Sequence, residues 1–370
     1  MTWDRDARER EPESAFPLSR NVGNRFSAVK GRATGVHGAT PFAARPPGDN
    51  RGCQATATGD TVQAIAIHTY GGPEVLEHTR LPDPLVGFDV VQVEVRAAGV
   101  NPVDWKVREG YLDGAFPSHF PLVPGWDVAG IVRRVGPAVQ EFAPGDEVVG
   151  YVRQDHIQHG GYAELVSATP RHWAPKPTTV GFTEAGGLPL AGLTAVQSLR
   201  RAQVGAGDTV LVHAAAGGVG SFAVQWARVL GADVIGTASE ANHDFLRELG
   251  ATPVTYGDGL VDRVREVAAS GISASVDYIG SPEAFSSSAA LVDDPARIVS
   301  NVDPAAVAEV GGRYCFVRPQ ADDLAELARQ VDAGQVRIEV QEALPLTAAA
   351  QAHELSQTGH VRGKIVLEVS

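Results

Sequence analysis

Apolar residues recur at every second position in the first half of the chain and in unbroken β-branched runs in the second. DVVQVEVRAAGV (89–100) alternates, which predicts a strand with one solvated face. VAGIVRRVG (128–136) and DEVVGYV (146–152) do the same on either side of a PGD turn at 144–146, and GGYAELVSA (160–168) adds another strand. Upstream, VQAIAIHTY (62–70) reads as a strand, GGP (71–73) as a turn and VLEHTRLPDP as a second strand ended by prolines. Short strands this close, with Gly and Pro between them, predict a compact β-barrel-like unit from about 62 to 180.

From about residue 185 the pattern changes. DTVLVHA (208–214) suits a strand buried on both faces. Helix SFAVQWARVLG (221–231), strand ADVIGTAS (232–239), helix NHDFLRELG (242–250) and strand PVTY (253–256) follow it. Helix LVDRVREVAAS (260–270), strand ASVDYIG (274–280), a helix near 283–291 and strand RIVSN (297–301) continue the alternation. Such alternation builds right-handed crossovers and a doubly wound parallel sheet. GRYCFV (312–317) is then a strand, LAELARQVDAG (324–334) a helix and GKIVLEV (363–369) a last strand.

Residues 1–60 show neither period. They hold nine Lys/Arg against seven Asp/Glu, so the chain's net charge of −13 lies entirely in the remainder. No acid and five basic residues occur between Ser14 and Gly48, as in a transit peptide, but Asp4, Asp6, Glu9, Glu11 and Glu13 precede them. Residues 1–61 are therefore expected to be a disordered extension or the product of a misassigned start, against a targeting or partner-binding role. Met1 is the sole methionine, and a start near Val62 stays open.

The acidic charge disfavours nucleic acid and anionic membranes. No apolar run reaches the ~20 residues of a spanning helix. With only Cys53 and Cys315, neither a disulfide framework nor a four-cysteine zinc lobe can form. A soluble enzyme or binding protein of a reduced compartment, the cytoplasm, is the expectation.

The chemistry signal sits at the first crossover, where strand 208–214 runs into Ala215-Ala216-Gly217-Gly218-Val219-Gly220 and a helix. This is a dinucleotide fingerprint with alanine in the first glycine position. Gly217 admits the pyrophosphate close to the backbone, Gly220 allows helix and strand to pack, and the helix N-terminus favours an anion. Sites that prefer NAD place Asp or Glu at the end of the second strand. Here Gly236-Thr237-Ala238-Ser239 brings no acid before Glu240, and Ser239 and Asn242 offer neutral donors. NADPH is the expected coenzyme, although Ser239 and Asn242 also read as caps of the helix that follows.

Taken together, AGVNPVDWKVREG (98–110), LVPGWDVAGIV (122–132), GDEVVGY (145–151), GGYAEL (160–165), LPLAGLTA (188–195), VHAAAGGVGSFAVQWAR (212–228) and HVRGKIVLEV (360–369) carry a resemblance. Residues 62–370 resemble the medium-chain dehydrogenase/reductase superfamily, in its zinc-independent quinone oxidoreductase branch of zeta-crystallin-like and alkenal/enone reductases. The resemblance implies a GroES-like catalytic domain (62–184), a Rossmann domain (185–315), a return to the catalytic domain (316–370) and a coenzyme in the cleft. Zinc-dependent relatives carry a Cys in the loop matching 101–104 and a His in the motif matching PGWDVAG. Here Asn101-Pro102-Val103-Asp104 and Trp126 stand there, so no catalytic zinc is expected. His156 and His159 read as a loop pair.

The resemblance also implies roles. Thr194 lies near the nicotinamide ribose, and Ala215, Gly217, Gly218 and Val219 hold the pyrophosphate. Ser239, Asn242 and Tyr256 surround the 2′-phosphate and adenosine, and Ile279 and Gly280 face the adenosine ribose. Phe316 and Val317 offer backbone atoms to the carboxamide, unless they are plain core. Lys364 contacts a phosphate or ribose, unless it is a solvated strand-end charge. The chain has four lysines against 27 arginines, so Lys106 in NPVDWK stands out. Lys106, Asn101 or water would stabilise or protonate the substrate oxygen, with an Asp104 ion pair or a surface role as the alternative for Lys106. Trp105, Tyr111 and Trp126 are the expected substrate contacts. The implied activity is NADPH-dependent reduction of quinones or α,β-unsaturated carbonyls. NADPH binding without turnover and zinc-independent alcohol oxidation are the alternatives. Family members are often homodimers.

Overall fold

The computed structural model describes residues 61–370, so the expected extension lies outside the described residues. Six parallel strands form one sheet in the order Thr252–Thr255, Asp233–Ala238, Thr209–Val212, Ala274–Asp277, Ile298–Ser300 and Arg313–Tyr314. The order reverses beside Thr209–Val212, where an open α/β sheet leaves a crevice at its carboxyl ends. Val210, Leu211 and Val212 are fully buried, as their unbroken apolar run requires.

The other domain centres on a mixed sheet. Its strands run Val340–Pro345, Lys364–Glu368, Val91–Val100, Asp127–Val135, Glu147–Tyr151 and Trp173–Pro175, and Leu165–Ala168 also pairs with Val91–Val100. The strand Lys364–Glu368 lies antiparallel to Val91–Val100, with Val366 opposite Gly99. The chain therefore leaves this sheet, builds the parallel one and returns.

Two expectations change. Val91–Val100 does not show one solvated face; even Gln92 is fully buried. Its amide donates to Pro84 O at 2.8 Å and accepts from Arg134 at 2.8 Å, which satisfies the polar group inside the sheet. GRYCFV keeps strand pairing only at Arg313–Tyr314. Two motifs also prove helical. Pro102–Arg108 and Pro189–Arg201 each start with a proline in the first turn, where its missing N–H costs nothing.

Candidate active site

At the sheet's switch point, Gly217 precedes the helix Gly218–Val229 without any side-chain cap. The amides of Gly218, Val219 and Gly220 therefore head the helix as first-turn donors without intrahelical partners. A Cβ on Gly220 would sit 2.2 Å from Ala214 O, so only glycine lets this turn close. Ala214 takes a left-handed φ of 54°, which aims the chain into the loop. Ala215 is buried and its amide donates to Thr237 O, so its place is structural and the donors begin beyond it. An uncapped amide turn at a helix start fits a pyrophosphate.

The returning chain supports this loop from below. Gly363 N donates to Ala216 O at 3.1 Å, and a Cβ on Gly218 would meet Lys364 Cδ at 3.2 Å. Lys364 is no solvated charge; it is 3% exposed. Its ammonium donates to Val100 O at 3.1 Å and to Asn101 Oδ1, and lies 3.7 Å from Asp127 Oδ2. Burial lowers its pKa while Asp127 and Asp104 work to raise it. With these partners Lys364 acts as a strut under the loop rather than as a free phosphate ligand.

Asn101 is occupied in the same way. Its Nδ2 donates to Asp127 Oδ2 at 2.9 Å and its backbone N–H to Asp104 Oδ2 at 2.8 Å. Asp127 Oδ1 accepts from Leu190 N at 2.7 Å, at the head of the helix Pro189–Arg201. Tyr162 donates its hydroxyl to Asp104 at 3.1 Å. Burial pushes the Asp104 pKa from 3.8 up to about 7, against the backbone hydrogen bond from Asn101. Sequence reasoning missed Asp104 and Asp127 as a hub. The signal was a carboxylate inside the apolar run PGWDVAGIV.

Lys106 makes no ion pair with Asp104, whose Oδ2 accepts from both Asn101 and Tyr162. It lies half-buried, its ammonium 5.6 Å from the centre of the Trp105 ring, and burial lowers its pKa. Tyr111 packs edge-on against Trp105 at 6.2 Å while remaining 69% exposed. Trp126 is buried in a different group, 6.2 Å from Tyr151 and 6.4 Å from Phe116. Of the expected substrate contacts, then, Trp105 lies beside Lys106, Tyr111 packs on Trp105, and Trp126 joins a second aromatic cluster.

Thr194 is buried and its hydroxyl donates to Leu190 O. Asn242 Nδ2 donates to Ser239 Oγ at 3.3 Å, and neither side chain caps the helix His243–Leu249, so the cap reading fails. Tyr256 and Ile279 are exposed; the amides of Ile279 and Gly280 are held by Asp277. Phe316 is 46% exposed, hence not plain core, whereas Val317 is buried. His159 ends the strand Ile157–His159, and no group of three or more His, Cys, Asp or Glu able to hold a metal occurs among the described residues.

Comparison with known proteins agrees with this architecture. Residues 87–178 match the alcohol dehydrogenase GroES-like domain, and residues 249–367 match a family described as zinc-binding dehydrogenase. The chain is 32% identical to a chloroplast envelope quinone oxidoreductase homolog of Arabidopsis thaliana, over 84% of this chain and 99% of that protein. It is 33% identical to an NADPH-dependent alkenal/one oxidoreductase of the same plant, over 83% and 79%. The quinone oxidoreductase structure from Coxiella burnetii superposes with a TM-score of 0.73 at 33% identity, covering 84% of this chain and 100% of that one. Among the described residues no helix is long and apolar enough to cross a membrane.

Proposed function

Because this chain belongs to the medium-chain dehydrogenase/reductase superfamily, in its zinc-independent quinone oxidoreductase branch, we propose that it reduces quinones or α,β-unsaturated carbonyls with NADPH. The observation that carries the reading is the uncapped glycine turn at Gly217–Gly220, seated on Lys364 and Gly363 of the catalytic domain. Gly217, Gly218 and Val219 hold the pyrophosphate there. Ser239 and Asn242, with no carboxylate before Glu240, leave room for a 2′-phosphate. When bound, the coenzyme supplies a hydride, and a proton completes the two-electron reduction of the substrate. Lys106, protonated and half-dry beside Trp105, stabilises the negative charge that develops on the substrate oxygen. Asn101 positions, its amide being committed to Asp127 and Lys364.

Steady-state oxidation of NADPH with 1,4-benzoquinone, 9,10-phenanthrenequinone and a short enal tests the reading. Turnover with at least one compound is expected, alongside well under one zinc per chain by metal analysis. Tight NADPH binding with no turnover on all three, and none with simple alcohols, would make this a coenzyme-binding protein instead.

A further inference from the structure

One buried cation serves neither the glycine turn nor the Lys364 hub. Arg153 lies just beyond the strand Glu147–Tyr151, its side chain 9% exposed. Its guanidinium carbon is 5.6 Å from the centre of the Phe116 ring and 5.4 Å from that of Phe316. Those two rings stack 5.8 Å apart. Trp126 extends the wall from Phe116 to Tyr151. The wall thus joins the catalytic domain to the segment after the last Rossmann strand, where Phe316 was expected beside the nicotinamide.

Two polar atoms in this apolar setting lack partners. One Arg153 terminal nitrogen reaches Gln154 O at 3.4 Å and Asp155 Oδ1 at 3.3 Å, with Asp155 itself exposed. Arg153 Nε and the Tyr151 hydroxyl are buried without a regular hydrogen bond, and the hydroxyl has only the neighbouring Arg153 guanidinium to offset the burial that raises its pKa. Buried polar groups are normally satisfied, so two orphans in one aromatic wall call for a ligand atom. Arginine suits the place because it stays charged, stacks on rings and offers several N–H donors.

We propose that Arg153, with the Tyr151 hydroxyl two residues before it, binds a second oxygen of the substrate. The substrate is then a ring quinone that lies against Phe116, Phe316 and Trp126 with one carbonyl oxygen on Arg153. A short enal has one oxygen and no ring, and so makes no use of this second station. The inference rests on the reductase reading and names its substrate class.

The test compares Arg153→Gln, Arg153→Lys and Tyr151→Phe on 9,10-phenanthrenequinone and a short enal at saturating NADPH. Quinone binding to the coenzyme-free protein is followed separately by quenching of tryptophan fluorescence. Arg153→Gln should lower kcat/KM for the quinone about 100-fold, the scale of one lost oxyanion donor. It should weaken quenching at least ~10-fold while enal reduction and the NADPH Kd stay within about threefold. Arg153→Lys should recover a tenth or more of the lost quinone activity. Tyr151→Phe keeps the ring and removes only the hydroxyl beside Arg153, so it should fold with a Tm close to that of the native protein and still bind the quinone less tightly. Equal losses on both substrates, unchanged quinone binding, or loss of NADPH binding would overturn the assignment. A native protein idle with both compounds would defeat the reductase reading, and the quenching titration would then decide the role of Arg153 alone.

Discussion

Lys106 holds its charge where water only half reaches it, and burial keeps its pKa below the usual 10.5. If that charge stabilises the substrate oxyanion, Lys106→Ala should lower kcat by about 10²–10³ and leave NADPH binding unchanged. Binding measured by NADPH fluorescence beside turnover checks this; both constants within about threefold would remove Lys106 from the site. The pH profile carries the sign. A cation with a lowered pKa is present at low pH and lost as pH rises, so kcat should fall on the alkaline side below pH 10.5. Lys106→Arg, which stays charged, should abolish that limb. Asp104 behaves in the opposite sense. Its folded pKa of about 7 exceeds the ordinary 3.8, so the native state binds the extra proton between these values and stability falls as pH rises through them. The upper bound is about 4 kcal/mol. Thermal unfolding across pH 4–8 should show the slope, flattened in Asp104→Asn; an unaltered slope would refute the assignment.

Elements were legible where pattern alone decides them. The β-branched run at 208–214 and the Gly-rich loop located the switch point, since burial on both faces and close packing leave few other residues possible. The helix Pro102–Arg108 was not legible, because PVDWKVR is short and mixes charges with aromatics. The side-chain roles were the least legible. Nothing in the sequence says that Asn101 would spend its amide on Asp127 and Lys364, partners far apart along the chain. The cap reading of Ser239 and Asn242 failed because the two side chains bond to each other instead. At the end of this second strand, NADPH should be preferred over NADH by at least ~10-fold in kcat/KM, about 1.4 kcal/mol. Ala238 is buried, so the better probe is Ser239→Asp, which sets a carboxylate at the half-exposed strand end. It should erode the preference; equal use of both coenzymes by the native protein would sink this reading of the strand.

For the molecule as a whole, Asp127 is the point where four stretches of chain meet: its own strand, Asn101, Leu190 and Lys364. Asp127→Ala would strand a buried ammonium, and breaking a buried pair in this way costs roughly 3–5 kcal/mol. Denaturant unfolding should register that loss, whereas an exposed pair such as Arg247 and Asp244 should register at most about 1 kcal/mol. A loss at Asp127 no larger than at the exposed pair would mean that the hub does not join the domains. The same meeting point has a consequence for how the molecule is made. Lys364 and Asn101 touch although 263 positions separate them. The six parallel strands, by contrast, lie together between Thr209 and Tyr314. As the chain emerges from the ribosome, the nucleotide-binding half can close while the other sheet still lacks two of its strands. The catalytic half is thus the last part to become a solid body, and in the interval the Ala97–Val100 edge of its central strand stands unpaired, the kind of surface on which a folding chain associates wrongly.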